Sequence, residues 1–255
     1  MALELRCAAE DVGLAKSFFD AYGALAGFEL DPLVQAGRYR SQAAAEKQII
    51  PDIVEKLRPE PQHDLLEIGC GSGNLAIPLS FLVKSVTGMD HPNVIAKASA
   101  RLKADNLSWL PGRFPQNLPA RRYDRILAYS VMHYLDSVEE IYEFVTAATG
   151  LLVSSGRLLL GDIPNADRKA RFRNSEFGKQ FEQQWQSRAK AGTDAADASA
   201  FEVFAGSSSI GTLDDASILG IVAHARKSGY HAYVMPQSPA LPFGHTREDV
   251  LIIRL

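Results

Sequence analysis

The sequence predicts an α/β protein built on a doubly wound, seven-stranded, mostly parallel sheet. Three observations carry this. Short apolar runs alternate with helical segments from Asp64 to Asp162. The first run ends in a glycine-rich turn, and the last two runs are joined by a link too short for a crossover helix. Alternation of strands and helices is the pattern of a parallel sheet covered on both faces.

The N-terminal segment, residues 1–60, reads as a helical cap. In AEDVGLAKSFFDAYGALAG, Val12, Leu14, Phe18, Phe19 and Tyr22 form one apolar side of a helix. SQAAAEKQIIPDIVEKLRPEP reads as a second helix, with Ser41 at its start and a kink or restart at Pro51. DLLEIG is a buried strand, GCGSGN a turn, and LAIPLSFLVK a helix that tolerates Pro78 only near its first turn. SVTGMD is the second strand, and Pro92 opens the helix that follows. LSWLPGRF and YDRILAYS are the third and fourth strands. DSVEEIYEFVTAATGLL is a helix with an acidic first turn, and GRLLLGDIP is the fifth strand. Residues 64–162 thus form the core of a single domain spanning 1–255. Residues 164–209 are a helical insertion whose Ala/Asp/Ser-rich end reads as a mobile loop. Residues 213–255 add a helix ending at Gly229 and two strands, YHAYVMP and EDVLIIRL, expected to pair antiparallel.

The 255 residues are 46% apolar and 22% charged, which suits a globular protein with a real core. The net charge of -3 disfavours nucleic acid as a partner. No stretch approaches the roughly 18 apolar residues of a membrane span, and the N-terminus lacks a secretory pattern. Cys7 and Cys70 make no disulfide framework, so reduced thiols in a cytoplasmic protein are expected.

The sharpest motif is LLEIGCGSGN. Gly69, Gly71 and Gly73 fall between a strand and a helix, where parallel sheets bind ligands. Position 74 is Asn, so the dinucleotide spacing G-x-G-x-x-G is not met. Asp90 ends the next strand, where an acid accepts hydrogen bonds from ribose hydroxyls. Together they predict a nucleoside-containing cofactor; the plainer alternative is a strand–turn–helix with Asp90 as a helix cap.

LLEIGCGSGN, GMD, YDRILAYSVMHYL, GRLLLGDIP and the terminal strand pair, in that order, resemble the class I S-adenosylmethionine-dependent methyltransferases, from about Arg38 to Leu255 without the insertion. The resemblance implies a Rossmann-like sheet, S-adenosyl-L-methionine as cofactor and S-adenosyl-L-homocysteine as product. It puts Gly69 and Gly71 against the methionine moiety, with Glu67 fixing the loop or the amino group, and Gly73 and Asn74 completing the motif. Asp90 would hold the ribose, His91 would lie near the adenine, and Tyr129 and Ser130 would border the methyl donor. Tyr39 and Arg40 stand where related enzymes close over the cofactor. One departure is Arg113, in LPGRFPQNLP, where the family often has an acid for the adenine amino group. Backbone around Arg113 and Phe114 is the substitute the resemblance leaves. GDIPNADRKARFRNSEFG and PALPFGHTREDVLI are faintly similar to methyltransferases of bacterial surface-carbohydrate clusters.

The expected reaction is methyl transfer to a small molecule, a hydroxyl of a sugar or anionic metabolite. The alternatives are N- or C-methylation of another metabolite, a binding module without catalysis, and an NAD-dependent dehydrogenase. A hydroxyl acceptor calls for a general base. His133 in SVMHYL is the first candidate, against a packed histidine; His245 and Asp162 are the others, against a loop histidine and a helix cap. Tyr134 reads as pocket wall or core aromatic. No ligand spacing suggests a metal site, so metal independence is expected. Arg168, Lys169, Arg171, Arg173, Lys179 and Arg188 make the insertion a lid for an anionic acceptor, or a solvated helix, or a homodimer contact.

Overall fold

A computed structural model describes residues 17–26, 31–117, 119–189 and 213–255. Cys7, Val12, Leu14, the Arg188 side chain and the Ala/Asp/Ser-rich end of the insertion lie outside that description.

Seven strands form one sheet in the order β3-β2-β1-β4-β5-β7-β6. They are β1 (Asp64–Ile68), β2 (Ser85–Asp90), β3 (Leu107–Pro111), β4 (Tyr123–Tyr129), β5 (Leu152–Pro164), β6 (His231–Pro236) and β7 (Arg247–Ile253). β1 to β5 pair in parallel, and β7 runs antiparallel between β5 and β6. The strand order reverses at β1, which lies between β2 and β4, and such a switch opens a crevice at the carboxyl ends.

The helices are α1 (Phe18–Leu25), α2 (Pro32–Gln35), α3 (Ala43–Glu46), α4 (Ile49–Leu57), α5 (Ala76–Ser80), α6 (Pro92–Arg101), α7 (Val138–Gly150), α8 (Ala166–Asn174), α9 (Glu176–Ala189) and α10 (Asp215–Lys227). The expected second helix divides: a 3-10 turn and α3 end at Glu46, and α4 restarts with Pro51 in its first turn. There the missing N–H costs no intrahelical bond. Pro92 opens α6, with His91 as its N-cap. Pro78 sits in the first turn of α5, which is shorter than expected, ending at Ser80 with Phe81 exposed.

Alternation along the strands divides the core between two faces. Leu66, Leu158, Leu160, Val250 and Ile252 pack against Ile141, Phe144 and Val145 of α7 and Ile218 and Ile221 of α10. Leu65, Val86, Leu127, Leu159 and Leu251 pack against Ile49, Ile53 and Leu57 of α4 and Leu79 of α5. β5 carries an irregularity between Leu160 and Ile163, and Asp162 there has φ 60°. A bulge of this kind re-aims one side chain, and here it directs Asp162 into a buried charge cluster.

Candidate active site

A cavity of about 200 Å³ opens at the carboxyl ends of β1, β2 and β4, beneath α1. Its floor is the turn after β1. Gly69 and Gly71 have φ of 73° and 53°, values that L side chains seldom adopt. A Cβ on Gly69 would stand 2.5 Å from Val131 Cγ2, whereas a Cβ on Gly71 would enter open space. Gly69 therefore serves packing, and Gly71 leaves room for a ligand. Gly69→Ala is expected to destabilise the fold by about 2–4 kcal/mol through strain and overpacking. Gly71→Ala should instead leave a folded protein with ligand affinity reduced roughly tenfold or more; urea unfolding beside titration separates the two. Gly73 lies outside the cavity against Trp109, while Asn74 lines it and donates to Pro32 O at 3.1 Å.

Asp90 lines the same wall. Its Oδ2 accepts from Gly71 N at 2.7 Å and its Oδ1 from His91 N at 2.6 Å. Each oxygen keeps a free lone pair, the arrangement that receives two adjacent hydroxyls. Burial raises the Asp90 carboxyl above its ordinary value despite these bonds. Glu67 is buried with its Oε2 unpartnered among the described residues, and burial, then Asp90, holds its pKa well up. His91 does not line the cavity: its Nδ1 caps α6 through Asn93 N at 3.1 Å, and its ring packs on Phe19 at 4.8 Å. Beyond Asp90, Val94, Gly112, Arg113, Phe114, Leu135 and Phe144 line a slot. Arg113 N donates to Asn117 Oδ1 at 3.0 Å, so that backbone donor is already committed.

The opposite end is set by Tyr129 and Ser130, both lining the cavity. Ser130 has φ 60°; its hydroxyl donates to Asp162 and accepts from Arg38 Nη2 at 2.9 Å. Arg38 also meets Asp162 at 2.6 Å, and Arg247 bonds the same carboxylate. Burial alone would raise Asp162, but Arg247 and Arg38 hold it below its usual value. Asp162 is thus a committed structural anion and does not line the cavity, which removes it as a proton acceptor. Tyr39 and Arg40 do not line it either. Tyr39 meets Trp185 edge-on at 5.1 Å, and Arg40 stands 3.7 Å from Asp31. Arg38, one residue earlier, occupies the wall instead.

His133 also departs from its expected place. The 3-10 turn Met132–Tyr134 leaves it 8% exposed and off the cavity wall, with Nδ1 unpartnered. Burial, with Arg247 beside it, lowers its pKa to about 3, so it is neutral and weakly basic near pH 7. His245 lies off the cavity, stacked on Phe172 at 4.6 Å, and burial followed by Arg168 lowers its pKa. The insertion's described arginine side chains are engaged within the chain: Arg168 with Glu248 at 3.2 Å, Arg171 with Asp215 at 2.6 Å and Arg173 with Glu182 at 3.3 Å. None of them lines the cavity, nor do the exposed Lys169 and Lys179.

Arg38, Glu46 and Tyr22 are among the wall residues that escaped the sequence reading. Arg38 and Glu46 bracket the short helices before β1, and Tyr22 lies on α1, where it read as core. Tyr22 donates to Tyr134 Oη at 2.7 Å, and Phe18 stacks on Tyr134 at 5.1 Å. Glu46 lies 3.5 Å from Arg38 Nε, beyond normal hydrogen-bond length, with its Oε2 otherwise unpartnered. Burial raises its carboxyl. A half-buried carboxylate with a raised pKa facing a cavity can accept a proton.

Comparison with known proteins agrees with this geometry. Nodulation protein S of Azorhizobium caulinodans is 31% identical over 104 residues, 40% of this chain and 50% of that protein. The chain spans half or less of the curated relatives it first matches. Two solved structures share the fold. The N-methyltransferase NodS of Bradyrhizobium japonicum, in complex with S-adenosyl-L-homocysteine, has a TM-score of 0.54 at 15% identity, over 82% of this chain and 87% of that one. Magnesium protoporphyrin IX methyltransferase of Synechocystis, also with bound S-adenosyl-L-homocysteine, has a TM-score of 0.57 at 16% identity, over 93% and 94%. The family model described as Nodulation protein S (NodS) matches residues 37–198, from the Arg38 wall through β5 and into the insertion. On that match the chain, a class I methyltransferase in fold, belongs to the NodS family.

Proposed function

We propose that the chain transfers the methyl group of S-adenosylmethionine to an amine of a small molecule. The observation that carries the cofactor is the floor of the cavity: open space over Gly71, between the unpartnered Glu67 Oε2 and the two free lone pairs of Asp90. These residues fit the cofactor. Asp90 would take the ribose hydroxyls, Gly71 the backbone approach of the methionine moiety, Glu67 its ammonium, and the slot at Phe114 and Phe144 the base. Once bound, the cofactor supplies an electrophilic methyl on a sulfonium. The chain's own residues then hold the acceptor in line with it, and positioning supplies much of the rate.

The acceptor class is read from charge. With Glu67 and Asp90 taken by the cofactor, the carboxylate left on the wall among the described residues is Glu46, and the wall's cations, Arg38 and Arg113, are each ion-paired. Phe18, Tyr22 and Tyr134 complete that end. Acid and aromatic faces suit a cationic amine and disfavour an anionic acceptor. Glu46 would take the proton from the ammonium, leaving the nitrogen lone pair to attack; the N–C bond forms as the S–C bond breaks. The family's N-methyltransferase from Bradyrhizobium supports this choice. A sugar or metabolite hydroxyl is the second reading, with Glu46 as its base in place of His133.

The test is methyl transfer from labelled S-adenosylmethionine to paired panels, amino sugars and aliphatic amines beside their hydroxyl counterparts. Methylation of the amines is the expected result, and methylation of the hydroxyl members alone would favour the second reading. With a turned-over acceptor, Glu46→Gln should lower kcat about 100-fold and leave S-adenosylhomocysteine affinity within about threefold. Unchanged kcat would remove Glu46 from the mechanism.

A further inference from the structure

The slot beyond Asp90 carries an unusual polar group for a purine site. Among the described residues there, Val94, Gly112, Phe114, Leu135 and Phe144 offer no polar side-chain atom, and Arg113 is the one charged side chain. The acids of that end, Glu140 and Asp136, bind Arg113 at 2.7 and 3.7 Å but do not line the cavity. The backbone of Arg113 itself is occupied as well. Arg113 N donates to Asn117 Oδ1 at 3.0 Å, and Arg113 O accepts from Asn117 N at 2.9 Å. A base edge turned toward Arg113 therefore meets a hydrogen-bond donor. A guanidinium has five N–H groups, and the contact with Glu140 uses one. Arginine paired with O6 and N7 is the favoured contact of a 6-oxopurine, whereas a 6-amino group needs an acceptor.

We propose that Arg113 makes this site tolerant of a 6-oxopurine, so that it binds S-inosyl as well as S-adenosyl sulfur nucleosides. The inference rests on the cofactor reading above and concerns the selectivity of that same site. The Glu140 and Asp136 pairings hold the guanidinium at the slot, and its carbon lies 5.8 Å from the Phe19 ring centre on α1. Arg113 would thus border the base whichever purine enters.

The experiment is calorimetric titration of the full chain and of Arg113→Ala with S-adenosylhomocysteine and S-inosylhomocysteine, with circular dichroism to show both proteins folded. The wild type should bind the inosyl compound within about fivefold of the adenosyl compound. Arg113→Ala should lose at least about tenfold for the inosyl compound and less than about threefold for the adenosyl compound. Tight adenosyl binding with inosyl binding more than about 50-fold weaker in the wild type would overturn the inference and leave the cofactor reading standing. Equal losses for both compounds in Arg113→Ala would also overturn it. Failure of the folded wild type to bind either compound would overturn both readings together.

Discussion

Asp162→Ala is expected to destabilise the fold by about 3–5 kcal/mol, because it removes one partner from a buried charge cluster. Asp162 is 2% exposed and bonded to Arg38, Arg247 and Ser130. Its loss leaves two guanidiniums in a desolvated site, and guanidiniums do not shed their charge. The cluster joins elements far apart in the chain: Arg38 before α3, Ser130 after β4, Asp162 in the β5 bulge and Arg247 on β7. Its effect should therefore appear as a cooperative loss in the urea midpoint. The pH sign follows from the depressed carboxyl. Its stabilisation is present above the ordinary value of about 4 and is lost as pH falls through the lower folded value. A protein as stable as wild type after Asp162→Ala would contradict this structural role.

Asp90→Ala is expected to weaken S-adenosylhomocysteine binding roughly 100- to 1000-fold, the worth of two hydrogen bonds to a charged acceptor. The loss in fold stability should be smaller, since among the described residues Asp90 accepts only from Gly71 N and His91 N. Burial holds Asp90 above the usual carboxylate range. Protonation on acidification removes an acceptor, so wild-type affinity should begin to fall at a pH above about 4. Binding within about threefold of wild type in folded Asp90→Ala would exclude the ribose role.

Much of this was legible in the sequence because backbone geometry demands particular residues. Gly69 and Gly71 stand where φ is positive, Pro92 where a missing N–H is harmless, and Asp90 at the end of a strand beside the turn. The antiparallel ending followed from a link too short to cross over. What escaped depends on side chains meeting across distant sequence. Arg38 reaches Asp162 124 positions away, and Arg168 reaches Glu248 80 positions away, which no local pattern encodes. The arginines of the insertion look solvated when read alone, because their acids lie on α9, α10 and β7. His133 lies three residues past Ser130 and reads as facing the cleft; one 3-10 turn rotates it into the interior. Nothing in the local pattern singles out Glu46, and only the fold brings the glycine turn and Arg38 around it.

A cavity built in this way should hold a sulfur nucleoside. Calorimetric titration of the purified chain with S-adenosylmethionine and S-adenosylhomocysteine, with NADH as control, tests it directly. One site per chain with a Kd on the order of 1 μM for the sulfur nucleosides, and no heat with NADH, is expected. A folded protein that binds NADH and neither sulfur nucleoside would contradict it.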